Sequence, residues 1–243
     1  MQEAVHDWLR RVYLAPGTRL REEDVRKSAE VAALLPEVAA AVGRGKRVIQ
    51  LVDAAAGLSY AGLAAAALAL AGRARLTLIE RDGRLAAAAR AAAARAGIEA
   101  EVREGDVGDA ALWPAAPDLV LALHACGPAS DRVIDAALAT GARRLLLVPC
   151  CTGSKVDAEP AARAAAGALG IPRHAQVRRS FIESFVAAER TLRLEAGGMQ
   201  TEVVELCPKS VTPYNLLWRA RRVRESGRMA AARADLAKLG AIA

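Results

Sequence analysis

The stretch Val48–Gly62, VIQLVDAAAGLSYAG, read together with the later LTLIERD, Leu76–Asp82, constrains this chain more than any other part of it. A hydrophobic segment ends in an acid, Asp53, and a turn of very small residues then leads into an alanine-rich helix. The next hydrophobic segment also ends in an acid, Glu80. A strand, a tight turn, a helix and a second strand tipped with a carboxylate compose the nucleotide half-site of a doubly wound α/β domain. The turn lets backbone approach a ligand closely, and the second carboxylate can hold two ribose hydroxyls. The leading expectation is an adenosine-containing cofactor.

The rest of the chain extends that pattern. Strands are expected near 47–53, 75–80, 99–104, 118–123 and 143–149, with helices near 60–71, 83–96, 129–139 and 156–169. Gly72, Gly97, Gly141 and Gly170 fall where helix C-caps belong. Five βα units with short connections imply a parallel sheet covered on both faces. Residues 1–42 read as a helical extension: Val5, Trp8, Leu9, Val12 and Tyr13 recur at helical spacing, Ala15-Pro16-Gly17 breaks the run, and a second helix spans about Glu22–Val42. After Gly170-Ile171-Pro172 a long helix, about Val177–Ala196, leads to QTEVVELC and, past a turn holding Pro208 and Pro213, to YNLLWRARR. Two strands so close in sequence pair antiparallel. A nicotinamide-dependent oxidoreductase would instead continue with parallel crossovers. The expected units are therefore 1–42, a helical extension; 43–222, the α/β domain; and 223–243, a basic helix.

Composition narrows the class further. With 243 residues, 53% hydrophobic but only 3% aromatic, the core must be built from Ala, Leu and Val. No stretch is both long and apolar enough to span a bilayer, and the N-terminus lacks a signal peptide's apolar region, so a cytoplasmic protein is expected. Cys126, Cys150, Cys151 and Cys207 are too few and too irregularly placed for a disulfide framework, and adjacent Cys150 and Cys151 are not a metal spacing. The net charge of +7 permits a polyanionic partner but equally describes a solvated basic surface.

The order of elements resembles the class I S-adenosylmethionine-dependent methyltransferases. LALHACGPASD followed by LLLVPCC is similar to one branch, which includes the methyltransferase-like 25 and ribosomal-RNA-adenine-dimethylase-domain-containing proteins, with a related pattern in tRNA 2′-O-methyltransferases. The matching positions are His124, Cys126, Gly127, Asp131, Pro149, Cys150 and Cys151, and Lys27 and Glu30 weakly echo an upstream Lys-Lys-x-x-Glu element. The resemblance covers about residues 26–222. It implies a Rossmann-like fold with a seven-stranded, mostly parallel sheet, a C-terminal antiparallel hairpin and an N-terminal helical extension. The chain departs from the pattern at the first turn, where Ala55 and Ser59 replace two glycines. Alanine is tolerable there if its φ is negative. The aromatic-His that follows Pro-Cys-Cys in the branch is replaced by Thr152 and Gly153.

S-adenosylmethionine is thus the implied cofactor, with Asp53, Ala55, Gly57, Glu80, Arg81, Asp106, Val107 and His124 as its binding set. Asp53 contacts the amino-acid portion, Glu80 both ribose hydroxyls, and Asp106 the adenine amino group, while Val107 packs on the ring. The alternative readings are helix or turn caps for Asp53 and Asp106 and a surface acid for Glu80. His124 is the candidate base because imidazole titrates near neutrality, although a structural histidine is nearly as consistent with its place. Cys126, Pro149, Cys150 and Tyr214 are candidate acceptor contacts, and Tyr214 and Asn215 in SVTPYN can stack on or hydrogen-bond a planar substrate. Their alternative is simple turn chemistry. Asp131 either orients a partner or stabilises its helix dipole. RNA is the expected acceptor, with Arg178, Arg179, Arg219, Arg221, Arg222 and Arg224 supplying phosphate contacts if they share a face. A small molecule or protein acceptor, or a non-catalytic binding module, are the alternatives.

Overall fold

The computed structural model describes residues 1–15, 17–149 and 155–242. Two helices, α1 (Gln2–Tyr13) and α2 (Glu22–Val42), precede the sheet. The parallel strands are β1 (Ile49–Ala54), β2 (Ala74–Glu80), β3 (Ala100–Glu104), β4 (Leu119–Leu123) and β5 (Arg144–Val148). Between them lie α3 (Tyr60–Ala64), α4 (Gly83–Ala96) and α5 (Pro128–Ala139). The chain continues through α6 (Glu159–Ala168), α7 (Ala175–Ala196), β6 (Met199–Glu205), β7 (Leu216–Arg222) and α8 (Ser226–Ile242). The strand order is β3-β2-β1-β4-β5-β7-β6, and β7 runs antiparallel to both of its neighbours. The hairpin therefore returns β6 to the direction of the first five strands, and its turn comes down on their carboxyl rim. Strand order reverses between β1 and β4, which opens the ligand crevice at that rim.

Local chemistry explains most boundaries. Asp82 caps α4 by accepting from the N–H groups of Arg84 and Leu85, and Gly97 ends it in a left-handed conformation. The buried face of α4 is alanine alone, Ala86, Ala89, Ala92 and Ala93, so helix and sheet approach closely. Alternate residues of β1 serve different cores: Leu51 joins a cluster with α1, α2 and α3, whereas Val52 joins one with α5, Leu194 and Trp218. α8 lies along α7 and buries Ala232. Among the described residues, no helix is long and apolar enough to cross a membrane.

Three expectations need correction. The helix after the first turn stops as an α-helix at Ala64 and continues as a π-helical segment, Ala65–Ala69, with Leu70 N–H bonded to the Ala65 carbonyl. The β3–β4 crossover contains only a 3-10 turn, Ala110–Leu112, because Pro114 and Pro117 interrupt a short segment; among the described residues one of the five expected βα units therefore lacks its helix. The arginines expected to supply phosphate contacts if they shared a face are divided. Arg219 reaches Glu37 of α2, Arg222 reaches carbonyls of Ala137, Leu138 and Ala142 at the opposite face, and Arg178 and Arg179 lie on α7.

Asp131 is a structural pin. It is buried at the start of α5 and accepts from Arg190 Nε at 2.8 Å and Arg193 Nη2 at 2.9 Å, both on α7. Its side chain faces the interior between two helices, and neither reading made for it from the sequence included that pairing.

Candidate active site

The turn after β1 is organised by Asp53. Its carboxylate, only 2% exposed, accepts from Ser59 Oγ at 2.7 Å and Gly62 N–H at 3.0 Å. A Cβ on Gly62 would lie 2.5 Å from that oxygen, so the glycine is what lets α3 begin against the acid. Burial pushes the Asp53 carboxyl up to about 7, with the Ser59 and Gly62 bonds opposing. Ala55, Gly57 and Ser59 all adopt left-handed backbone, at φ 56°, 56° and 58°. The glycine-type path has thus survived at positions 55 and 59, and the negative φ required for Ala55 is not what the structure adopts. A left-handed alanine costs about 1–2 kcal/mol. Ser59 offsets that cost through its bond to Asp53; Ala55 has no such compensation. Ala55→Gly is expected to raise stability by about 1 kcal/mol, read as a rise of about 2–4 °C in Tm. A fall in Tm would mean that the Ala55 methyl contributes packing that outweighs its backbone strain.

Glu80, at the end of β2, turns inward and is 8% exposed. Its two oxygens accept from Gly57 N–H at 2.7 Å and Asp82 N–H at 2.9 Å, which ties the first turn to the second strand. An ionised carboxylate has about four acceptor sites, so both oxygens keep capacity for ligand hydroxyls. Arg81 beside it is exposed. A hollow of about 410 Å³ opens between this turn, α2 and the end of β4, lined by Lys27, Asp53, Gly57, Tyr60 and His124 among others. Ala55 and Ala56 line it without filling it.

Asp106 and Val107 follow β3. Asp106 accepts from Gly108 N–H at 2.8 Å and pairs with Arg132 Nη1 at 2.5 Å, closing its own turn. Val107 is buried in the second apolar cluster, and its carbonyl accepts from Trp113 Nε1 at 2.8 Å. Neither lines the 410 Å³ hollow.

His124 follows β4 in a left-handed conformation, its N–H bonded to the Val148 carbonyl at 2.8 Å. Its Nε2 meets the buried carboxylate of Glu30 from α2. One turn earlier on that helix, Lys27 Nζ lies 5.6 Å from the Tyr60 ring centroid. The helical extension therefore furnishes part of the site, and the faint Lys27–Glu30 echo was the only sequence signal of it. Tyr13 of α1 had no motif to announce it: its hydroxyl donates to the Leu58 carbonyl at 2.9 Å and its ring meets Tyr60 edge-on. Cys126 is exposed just beyond His124. Cys150, Cys151, Thr152 and Gly153 lie outside the described residues.

Pro149, Tyr214 and Asn215 share a separate hollow of about 290 Å³ with Lys209 and Trp218. The turn between β6 and β7 thus lies beside the segment that follows β5. Asn215, however, is 2% exposed, and its Nδ2 donates to the Cys207 carbonyl at 2.6 Å, so its amide closes the hairpin. Tyr214 bonds through its hydroxyl to Arg179 Nη2, whose guanidinium also lies 5.9 Å from the ring centroid. Neither residue lines the hollow that holds His124.

Seven strands with one antiparallel insertion, and a small-residue turn faced by the acid of β2, define a Rossmann-like methyltransferase. A methyltransferase domain family matches residues 25–157, more than half of the chain, and the chain belongs to that family. Among solved structures it is similar to magnesium protoporphyrin IX methyltransferase from Synechocystis PCC 6803 with bound SAH. That match has 13% identity and a TM-score of 0.55, over 91% of this chain and 99% of that one. A B. subtilis tRNA methyltransferase aligns at 14% identity and TM-score 0.51, over 81% and 67%. An SAH-bound methyltransferase from Podospora anserina aligns at 12% and 0.50, over 91% and 87%. No curated protein matches the sequence. Family and fold make this an S-adenosylmethionine-dependent methyltransferase. The residues fit that cofactor: the turn that bounds the hollow of about 410 Å³ is tied by Gly57 N–H to the carboxylate of Glu80, which does not itself line the hollow.

Proposed function

We propose that this enzyme methylates RNA, with the acceptor entering the hollow beside Pro149 and Tyr214. The observation that carries the reading is a second hollow, about 390 Å³, lined by Arg163, Arg178 and Arg179. It adjoins the acceptor hollow through Glu183, which lines both, and through the Arg179–Tyr214 contact. Phosphates held by these guanidiniums would leave a neighbouring planar base to stack on Tyr214. Lys27, Glu30, His124, Cys126, Gly127, Asp131 and Pro149 support a place within the His-x-Cys-Gly branch.

When bound, S-adenosylmethionine supplies a methyl group on an electrophilic sulfonium. Glu80 takes the ribose hydroxyls while still holding Gly57 and Asp82. Asp53, its carboxyl raised to about 7 by burial, would be held ionised by the cofactor's cationic amino group. Asp106, now paired with Arg132 and Gly108 N–H, would be the acid to meet the adenine amino group. His124 accepts the proton released by an acceptor N–H or O–H, and Glu30 stabilises the resulting imidazolium. Positioning contributes the remainder, because methyl transfer is an in-line displacement.

His124→Ala is expected to lower kcat by about 10²–10⁴-fold, and Glu30→Gln by less. Incubating labelled S-adenosylmethionine with RNA, protein and metabolite fractions tests the acceptor. Label is expected in RNA and reduced in His124→Ala. Label confined to metabolites would move the acceptor to a small molecule while sparing the chemistry.

A further inference from the structure

The opposite rim of the sheet, where the parallel strands begin, carries a row of guanidinium groups that the transfer chemistry does not use. Arg73 precedes β2, Arg47 precedes β1, Arg143 and Arg144 stand at the start of β5, and Arg221 and Arg222 end the antiparallel β7. In the strand order β2-β1-β4-β5-β7 these positions succeed one another over about 19 Å, four strand spacings of roughly 4.8 Å. One carboxylate in this row, Asp118 before β4, is already engaged. Both of its oxygens bond Arg47 Nη1 at 2.8 Å, one also takes the Gln50 N–H at 3.0 Å, and Arg143 Nε lies at 3.5 Å.

Arg144 and Arg221 are the informative pair. They face each other directly in the β5–β7 ladder, and like charges so placed destabilise a sheet. Among the described residues neither forms a salt bridge, and Arg221 Nη2 bonds only the neutral Gln200 side chain, at 2.6 Å. Both line a concavity of about 370 Å³ with Arg47, Arg143, Arg222 and Asp118. Both also line an adjoining groove of about 810 Å³, walled by α2, β5, β7 and β6. The pair is therefore an uncompensated repulsion facing an open, elongated depression, and a string of negative charge laid along it would relieve the repulsion.

We propose that this rim is a second docking surface for the acceptor RNA, which it holds by the phosphodiester backbone, at the end of the sheet remote from methyl transfer. The inference rests on RNA being the acceptor. An extended row with guanidiniums at successive strand ends suits a strand of regularly spaced phosphates, and its concave walls suit a flat membrane poorly. Contacts of this kind position without reading sequence.

The test measures binding of a labelled single-stranded homopolymer RNA to the full chain across a salt series. For Arg144→Gln/Arg221→Gln, the magnitude of the slope of log K against log salt is expected to fall by about 1.4, from about 0.7 per lost phosphate contact, with S-adenosylmethionine affinity unchanged. Arg73→Gln, should the double variant fold poorly, is expected to lower it by about 0.7. A native slope in a folded variant overturns the rim while native RNA methylation preserves the acceptor assignment. A native protein that neither binds nor labels RNA removes both. Tighter binding to vesicles of anionic lipid than to RNA also overturns the proposal.

Discussion

Glu80→Ala is expected to weaken S-adenosylmethionine binding by about 10²–10⁴-fold. Hydrogen bonds to a charged group contribute about 1.5–3 kcal/mol each, and two ribose hydroxyls would lose theirs together. The substitution also releases Gly57 N–H and Asp82 N–H, so the first turn loses its tether to the end of β2. That second effect is local, because the turn stays bound through Ser59 Oγ to Asp53 and through Ala56 N–H to the Ile79 carbonyl at 3.0 Å. The thermal transition should therefore remain close to that of the parent while calorimetric binding disappears into the weak range. Glu80→Gln should fall between the two, since its amide offers one acceptor oxygen and sets an N–H₂ against a backbone N–H. Affinity within a few-fold of the parent for Glu80→Ala would place the cofactor's sugar elsewhere.

Asp131→Ala carries the largest expected effect on stability, a loss of about 3–5 kcal/mol. Arg190 is fully buried, and its Nε and Nη2 both bond Asp131, at 2.8 and 3.3 Å. Removing the carboxylate strands that guanidinium without an acceptor. Arg193, the other partner, keeps Asp135 at 3.1 Å and Glu189 at 3.3 Å, so the destabilisation centres on Arg190. At about 2–4 °C per kcal/mol, Tm should drop on the order of 10 °C. Asp131→Leu combined with Arg190→Met should recover part of the loss, because an apolar pair carries no desolvation penalty. Below the transition, Asp131→Ala should still bind S-adenosylmethionine. A variant with the parent Tm but no activity would return Asp131 to the reacting groups.

The chain announced its strands and helices because those signals are local. The apolar run ending at Asp53, the one ending at Glu80 and the Pro208–Pro213 turn each lie within a few residues of what they predict; the strand order β3-β2-β1-β4-β5-β7-β6 came from the tertiary structure. The same local logic placed Pro149 and Tyr214 at a common hollow once β6 was parallel to β5. It could not choose between two uses of one residue type. Asn215 suited a substrate contact and a hairpin clasp equally well, and only the position of the Cys207 carbonyl decided for the clasp. Ala55 argued against a left-handed turn, yet the bonds from Glu80 and Asp53 around it hold that conformation.

What the sequence by itself determined is the alternating architecture, the two strand-end acids and the antiparallel ending, since periodicity and turn chemistry act over short spans of chain. What only the tertiary structure decided is which distant groups meet. Glu30 reaches His124 across 94 residues, Tyr13 reaches Leu58 across 45, and Arg190 reaches Asp131 across 59. Side chains of such separation become neighbours only through the packing of helices on a sheet, and their pairing leaves no period or spacing for the sequence to display.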